Sequence, residues 1–163
     1  MDKLEGGEVE PVQLQKVDIY IEQIYSGNFK NGEGRFSIVL EIIREGTPIT
    51  KEHFRGYKGT SKQRLGILAC IEALKCMKEA CEIQIHIDCP YVSGSISFLE
   101  KWQKEGWENR KNKDLWMKYI ELSSKHLVTV VNEKHNQYSP AMKVQLGMKE
   151  LVLIEDWREE NEY

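Results

Sequence analysis

Long apolar runs are missing from this chain of 163 residues. No stretch reaches the ~18 consecutive apolar residues that a membrane-spanning helix needs. The N-terminus also lacks the apolar centre of a signal peptide. The sequence therefore predicts a protein without a membrane span, and a cytoplasmic location is the expectation that follows.

Cysteine is sparse and does not have the spacing of a metal site. The four cysteines are Cys70, Cys76, Cys81 and Cys89, and no two of them form a C-x-x-C pair. Histidine is also rare around them, so the sequence does not indicate a zinc site. We interpret the cysteines as reduced and mostly buried thiols.

An excess of positive charge is absent from the chain as a whole, which has a formal net charge of −3 at pH 7. The charge is nevertheless distributed unevenly. Residues 101–118 contain six basic and three acidic residues, whereas residues 155–162 are acidic. Such asymmetry can guide an anionic partner to one surface, although a solvated helix face has the same appearance.

Hydrophobic periodicity predicts three strands at the start of the chain. Residues 17–22 alternate strictly, with Val17, Ile19 and Ile21 on one face. Glycine and asparagine at 27–34 and a break at 45–48 separate this strand from two others, over 35–43 and 53–57. We interpret the three strands as an antiparallel meander.

The pattern then changes to a helical period. Residues 61–78 form a predicted helix with one narrow polar stripe, which indicates deep packing. The elements predicted after it are strand 82–88, helices 92–104 and 114–125, strand 127–131 and helix 140–150. The order β-β-β-α-β-α-α-β-α predicts an α/β fold with a mixed five-stranded sheet and helices on both faces. One domain over 13–151 suits the length, with acidic tails at 1–12 and 152–163.

Several short motifs resemble type 1 ribonuclease H and occur in that family's order. The resemblance covers roughly residues 17–147 and is strongest over 60–116. The pieces that carry it are the first helix (Arg64-Leu65 and IEALK at 71–75), the fourth strand with its following turn (CE at 81–82, Ile87-Asp88, Tyr91-Val92), and the basic protrusion (WQKEGW at 102–107, DLW at 114–116).

The resemblance implies an activity, the hydrolysis of the RNA strand in an RNA–DNA hybrid. That chemistry uses two Mg²⁺ ions roughly 3.5–4 Å apart, and oxygen ligands bind such hard cations. The family places four carboxylates together for this purpose. They lie on strand one, on the first helix, at the end of strand four and on the last helix.

Two of these four positions lack a carboxylate in this sequence. The strand-one position is Glu22, where the family has Asp, and the strand-four position is Asp88, unchanged. The first-helix position is Gly66, and the last-helix position falls on Val144 or Gln145, depending on a one-residue gap. Glu22 and Asp88 are therefore the candidate catalytic and metal-binding residues, sufficient only for weak binding of a single Mg²⁺. The alternative is that both are relics, solvated at strand ends.

The resemblance also assigns contacts to nucleic acid, before the first helix and on the basic protrusion. The predicted contacts are Lys62, Gln63, Arg64, Lys104, Arg110, Lys111 and Lys113. Aromatic residues lie among the basic ones, and aromatics between cations suit nucleic acid. Trp102 and Trp116, however, also have the spacing of core residues.

Three functions stay open at this point. The first is a domain that binds an RNA–DNA hybrid or double-stranded RNA without cleaving it efficiently, and the missing ligands favour it. The second is a divergent, active ribonuclease H that recruits metal differently. The third is a protein-interaction module that kept only the fold and offers its acidic tails to a protein partner, since fold does not fix function.

Overall fold

Six strands form one mixed sheet in the computed structural model of the chain, which describes residues 13–28 and 30–156. The strands are β1 (Gln15–Gly27), β2 (Gly32–Arg44), β3 (Thr47–Thr60), β4 (Cys81–Ile87), β5 (Leu127–Asn132) and β6 (Ile154–Glu155). Their spatial order is β5-β4-β1-β2-β3-β6. The meander β1-β2-β3 is antiparallel, whereas β4 runs parallel to β1 and β5, and β6 runs parallel to β3.

Five α-helices and one short 3-10 helix complete the described part of the chain. They are α1 (Lys62–Lys75), α2 (Pro90–Ser95), the 3-10 helix Ile96–Phe98, α3 (Leu99–Lys104), α4 (Lys113–Ser123) and α5 (Ser139–Met148). Ser61 caps α1, because its Oγ accepts a hydrogen bond from the Arg64 backbone N–H at 3.1 Å. None of these helices is long and apolar enough to cross a membrane.

The predicted fold is confirmed, with two differences in detail. The segment predicted as one helix over 92–104 is divided into α2, the 3-10 helix and α3. The sheet also has a sixth strand, because Ile154 and Glu155 pair with Tyr57 and Lys58 of β3. A strand of two residues is too short to show a period in the sequence. It lies in the segment 152–163 that we read as an acidic tail, while residues 1–12 and 157–163 lie outside the described residues.

Alternation along β1 divides its side chains between the two faces of the sheet. The odd-numbered residues Val17, Ile19 and Ile21 join the main core with α1. On the opposite face Tyr20 forms a smaller buried cluster with Val39 and with Met142 of α5. Glu22 has the same parity as Tyr20, so β1 presents this carboxylate to the α5 side.

Candidate functional site

The two candidate carboxylates lie at the same end of the sheet. The parallel pairing of β1 with β4 ends at Tyr20 and His86, so Glu22 and Asp88 each follow that pair by two residues. The strands remain close beyond the pairing, since the Gln23 side-chain amide donates to the Asp88 backbone carbonyl at 3.5 Å. Asp88 therefore follows the carboxyl end of β4, and Glu22 lies beside it on β1, where the parallel pairing of the two strands has ended and β1 continues to Gly27 beside β2. The carboxyl ends of parallel strands are where α/β sheets place their sites.

Glu22 is buried and has partners on α5 for both carboxylate oxygens. Ser139 Oγ donates a hydrogen bond to Glu22 Oε2 at 2.5 Å, and Lys143 Nζ lies 4.0 Å from Oε1. Ser139 Oγ in turn accepts the Asn136 backbone N–H at 2.9 Å, which leaves its own proton for Glu22. The sequence reading missed both α5 residues.

Asp88 is exposed and lines a cleft of about 350 Å³ beside the start of α1. The residues that line this cleft are Lys62, Gln63, Asp88, Cys89, Pro90 and Tyr91. Two of the predicted nucleic-acid contacts, Lys62 and Gln63, therefore lie together with Asp88. A cation and an amide beside a carboxylate suit a ligand that carries both phosphates and hydrogen-bonding groups.

The first-helix position is closed as well as lacking a carboxylate. A Cβ on Gly66 would lie 2.9 Å from Cys89 Sγ and 3.0 Å from Val92 Cγ2. Burial raises the pKa of the Cys89 thiol, so this sulfur is neutral near pH 7. Cys89 thus occupies space toward which a longer side chain on α1 would project.

The last-helix position in the structure differs from the one predicted from the sequence. The side of α5 that meets the sheet has Ser139, Met142 and Leu146 buried, and Lys143 reaches Glu22 from its edge. Successive helical residues are turned by about 100°, which places Val144 on the far side of the helix and Gln145 at the edge opposite Lys143. Both are exposed, Val144 by 60%. The α5 residue that faces Glu22 is therefore Lys143, and neither Val144 nor Gln145.

These donors do not fit the two-ion site of the family. Gly66 offers no side-chain oxygen, and Lys143 already places an ammonium group 4.0 Å from Glu22 Oε1. Within residues 13–28 and 30–156, no three His, Cys, Asp or Glu side chains are grouped so as to hold a metal ion. Hard cations need several oxygen ligands. The site offers two carboxylates, and one of them, Glu22, is already paired with Lys143. Two carboxylates of this kind do not provide enough oxygen ligands for two ions.

Arg64, a predicted nucleic-acid contact, is instead buried with 0% exposure. Its guanidinium is bonded to Asp156 at 2.8 and 3.1 Å and to Asp114 at 2.9 and 2.8 Å. Burial lowers the pKa of Arg64, but the hydrogen bonds to the two carboxylates raise it further, so the net shift is upward. The prediction that Arg64 contacts nucleic acid is wrong. Its guanidinium N–H groups are already bonded to Asp114, at the start of α4, and to Asp156, the residue after β6.

The predicted contacts on the basic protrusion are exposed. Lys104, Arg110, Lys111 and Lys113 are all exposed. The Arg110 guanidinium lies 4.6 Å from the centroid of the Trp102 ring, which stacks on Phe98. Trp116, by contrast, is fully buried and belongs to the core. The protrusion therefore combines four exposed cations with a surface stack of aromatic rings.

The fold and the site together define a class of protein. A mixed sheet with α1 on one face, α5 on the other and acidic residues where the parallel pairing of β1 and β4 ends is a ribonuclease-H-like domain. The family model for RNase H matches residues 15–135. The chain belongs to the RNase H family, and its resemblance to type 1 members is confirmed.

Relatives and solved structures agree with this assignment. A protein named Ribonuclease H from Oleidesulfovibrio alaskensis is 34% identical over 122 residues, covering 71% of this chain and 75% of that protein. A Ribonuclease H from Acetivibrio thermocellus is 33% identical over 136 residues, covering 77% and 88%. The crystal structure of LC9-RNase H1 superposes with a TM-score of 0.70 at 16% identity, covering 83% and 72%. For LC11-RNase H1 in complex with RNA/DNA hybrid the TM-score is 0.50 at 13% identity, covering 77% and 92%.

Proposed function

We propose that this domain binds RNA–DNA hybrid, with double-stranded RNA as the competing ligand, and that it does not cleave the hybrid efficiently. The observation that carries the proposal is the pairing of Glu22 with Ser139 and Lys143 of α5. A carboxylate that is already neutralised by an ammonium group gains less from a metal ion. Asp88 is then the exposed carboxylate at this end of the sheet, and we expect Mg²⁺ to bind there weakly at most.

The exposed cations support the binding half of the proposal. Lys62 and Gln63 line the cleft with Asp88, and Lys104, Arg110, Lys111 and Lys113 are exposed on the protrusion. Lysine and arginine contacts to phosphates supply most of the sequence-independent affinity for nucleic acid, and that affinity falls as salt rises. The net charge of −3 does not oppose this, because residues 101–118 carry six basic and three acidic residues and are therefore locally positive.

A cleavage assay and a binding assay test the two halves separately. We expect no cleavage of a labelled hybrid above background with Mg²⁺, and Mn²⁺ is included because it tolerates poorer sites. Robust turnover that disappears in Asp88→Asn would overturn this half of the proposal. Asp88 is exposed, so this substitution should leave the fold intact, and its melting temperature is the check.

For the binding half, we expect hybrid binding that weakens steeply with salt. Reversal of Lys111 and Lys113 to Glu should weaken it equally for all sequences, because phosphate contacts carry no sequence information. The matched control changes Lys78 and Lys125 to Glu. Both lysines are exposed, and they precede the first residues of β4 and β5, at the end of these strands that lies away from Asp88. Equal binding by both double variants would mean that the protrusion is a solvated face, and a protein-interaction role would then be the better reading.

The second candidate is an active ribonuclease H that recruits metal differently. It is favoured by the relatives that bear that name and are more than 30% identical over most of this chain. Turnover in the assay above, lost in Asp88→Asn, is the result that would establish it.

A further inference from the structure

Lys143 occupies an unusual place for a surface lysine. Its side chain is 52% exposed, but its ammonium lies 4.0 Å from an oxygen of Glu22, whose side chain is only 10% exposed. That separation is longer than a hydrogen bond, so charge alone holds the pair. The three N–H donors of the ammonium are therefore not committed to Glu22 by hydrogen bonds.

The fixed half of this pair is the carboxylate. The hydrogen bond from Ser139 Oγ holds Glu22 Oε2 at 2.5 Å, and Ser139 is itself buried with 3% exposure. Lysine, by contrast, carries its charge on a flexible four-carbon stem. Lys143 can thus move its ammonium toward a ligand while Glu22 stays in place.

We propose that Lys143 is the resident cation of this site and contacts a backbone phosphate of bound nucleic acid directly, without a metal ion. This inference rests on the proposed function, because it names the group that receives the nucleic-acid backbone beside the remnant carboxylates. It assigns to one α5 residue the charge that a metal ion supplies in an active member of the family.

The electrostatics of the sheet end require such a cation. Glu22 and Asp88 each lie two residues beyond the last paired residues of β1 and β4, and two carboxylates repel a phosphate unless positive charge offsets them. Lys62 lines the cleft with Asp88 on the α1 side of the sheet, and Lys143 lies on the α5 side. The two lysines flank the two carboxylates, which leaves this end of the sheet able to accept an anion.

The test measures binding of a short labelled RNA–DNA hybrid to the full chain in EDTA, over a range of salt concentrations. We expect the parent protein to bind in EDTA, and Lys143→Gln to bind about tenfold more weakly. The slope of log affinity against log salt should become shallower by about one, as expected when one phosphate contact is lost. Lys143→Arg keeps the charge and should bind within about twofold of the parent.

The matched control is Lys75→Gln. Lys75 is 50% exposed and Glu72 is 8% exposed, so this pair matches Lys143 and Glu22 in exposure, although Lys75 Nζ also donates a hydrogen bond to Glu72 at 3.3 Å. Lys75 is the last residue of α1, however, and α1 begins at the Asp88 cleft, so the control lies at the other end of the helix. Its substitution should change neither the affinity nor the salt slope.

The possible outcomes separate the inference from the function on which it rests. If the parent does not bind hybrid with or without Mg²⁺, the proposed function fails. If it binds and Lys143→Gln matches it in affinity and slope, only the inference fails. Binding that appears only when Mg²⁺ is added also overturns the inference. Should Lys143→Gln melt at a much lower temperature than the parent, the same comparison of affinity and salt slope is made with Lys143→Met, at a temperature at which the variant and the parent are both folded; a Lys143→Met protein that matches the parent overturns the inference.

Discussion

The sulfur of Cys89 lies against the backbone of Gly66, so that a Cβ added to Gly66 would be only 2.9 Å from it. Real Cβ atoms are essentially never found so close to another heavy atom, and Val92 Cγ2 would be at 3.0 Å. Gly66 is therefore a packing requirement of the contact between α1 and the start of α2. Restoring a family carboxylate at this position requires a change at Cys89 as well.

We predict that Gly66→Ala lowers the free energy of unfolding of the domain. Overpacking should cost about 1–3 kcal/mol, and the higher helix propensity of alanine should offset up to ~1 kcal/mol of this cost. The matched control is Gly147→Ala in α5, where a Cβ would meet nothing within 4 Å. That substitution should be neutral or stabilising. Urea unfolding of both variants measures the difference. In a Cys89→Ala background the cost of Gly66→Ala should shrink, and an unchanged cost would show that the sulfur is not the obstacle.

Arg64 gives a second prediction, on stability rather than binding. Arg64→Ala leaves Asp156, which is 6% exposed, without its cation, and we expect a loss of about 3–5 kcal/mol in the free energy of unfolding. Arg64→Lys should also destabilise, because an ammonium group cannot bond two carboxylates in parallel forks. The neighbouring Lys62→Gln is the control, since Lys62 is exposed. It should weaken hybrid binding and leave urea unfolding unchanged. An Arg64→Lys protein that unfolds like the parent but binds hybrid more weakly would instead restore Arg64 as a nucleic-acid contact.

The third prediction concerns the position on α5 that faces Glu22. Lys143→Glu removes the resident cation and adds a carboxylate, so like-charge repulsion should lower the melting temperature in EDTA. Mg²⁺ should then raise that temperature, because a ligand that binds the folded state stabilises it. Val144→Asp is the control, because Val144 is 60% exposed on the far side of the helix. A Mg²⁺ response in Val144→Asp and none in Lys143→Glu would show that the ligand position predicted from the sequence, and not Lys143, is the one that faces Glu22.

The fold was predictable from local patterns, and the site was predictable only in part. Alternation in β1 and the order of motifs along the chain identified the sheet and the positions of Glu22 and Asp88. The environment of Arg64 depends on carboxylates 50 and 92 residues away in sequence, and periodicity carries no information about them. The α5 position depended on a one-residue shift, which is a rotation of about 100° on a helix. No short-range pattern distinguishes Lys143 from its neighbours.

The bond between Arg64 and Asp156 also has a consequence for how the domain is completed during synthesis. The guanidinium belongs to the first helix, but one of its two counterions follows the last strand, 92 residues later. A nascent chain that ends at residue 135, where the family match stops, has all the recognisable motifs but only one of the two carboxylates that bind Arg64. The folding unit is therefore longer than the stretch that identifies the family. Arg64 can acquire its second counterion only after the short parallel strand at 154–155 and Asp156 have left the ribosome.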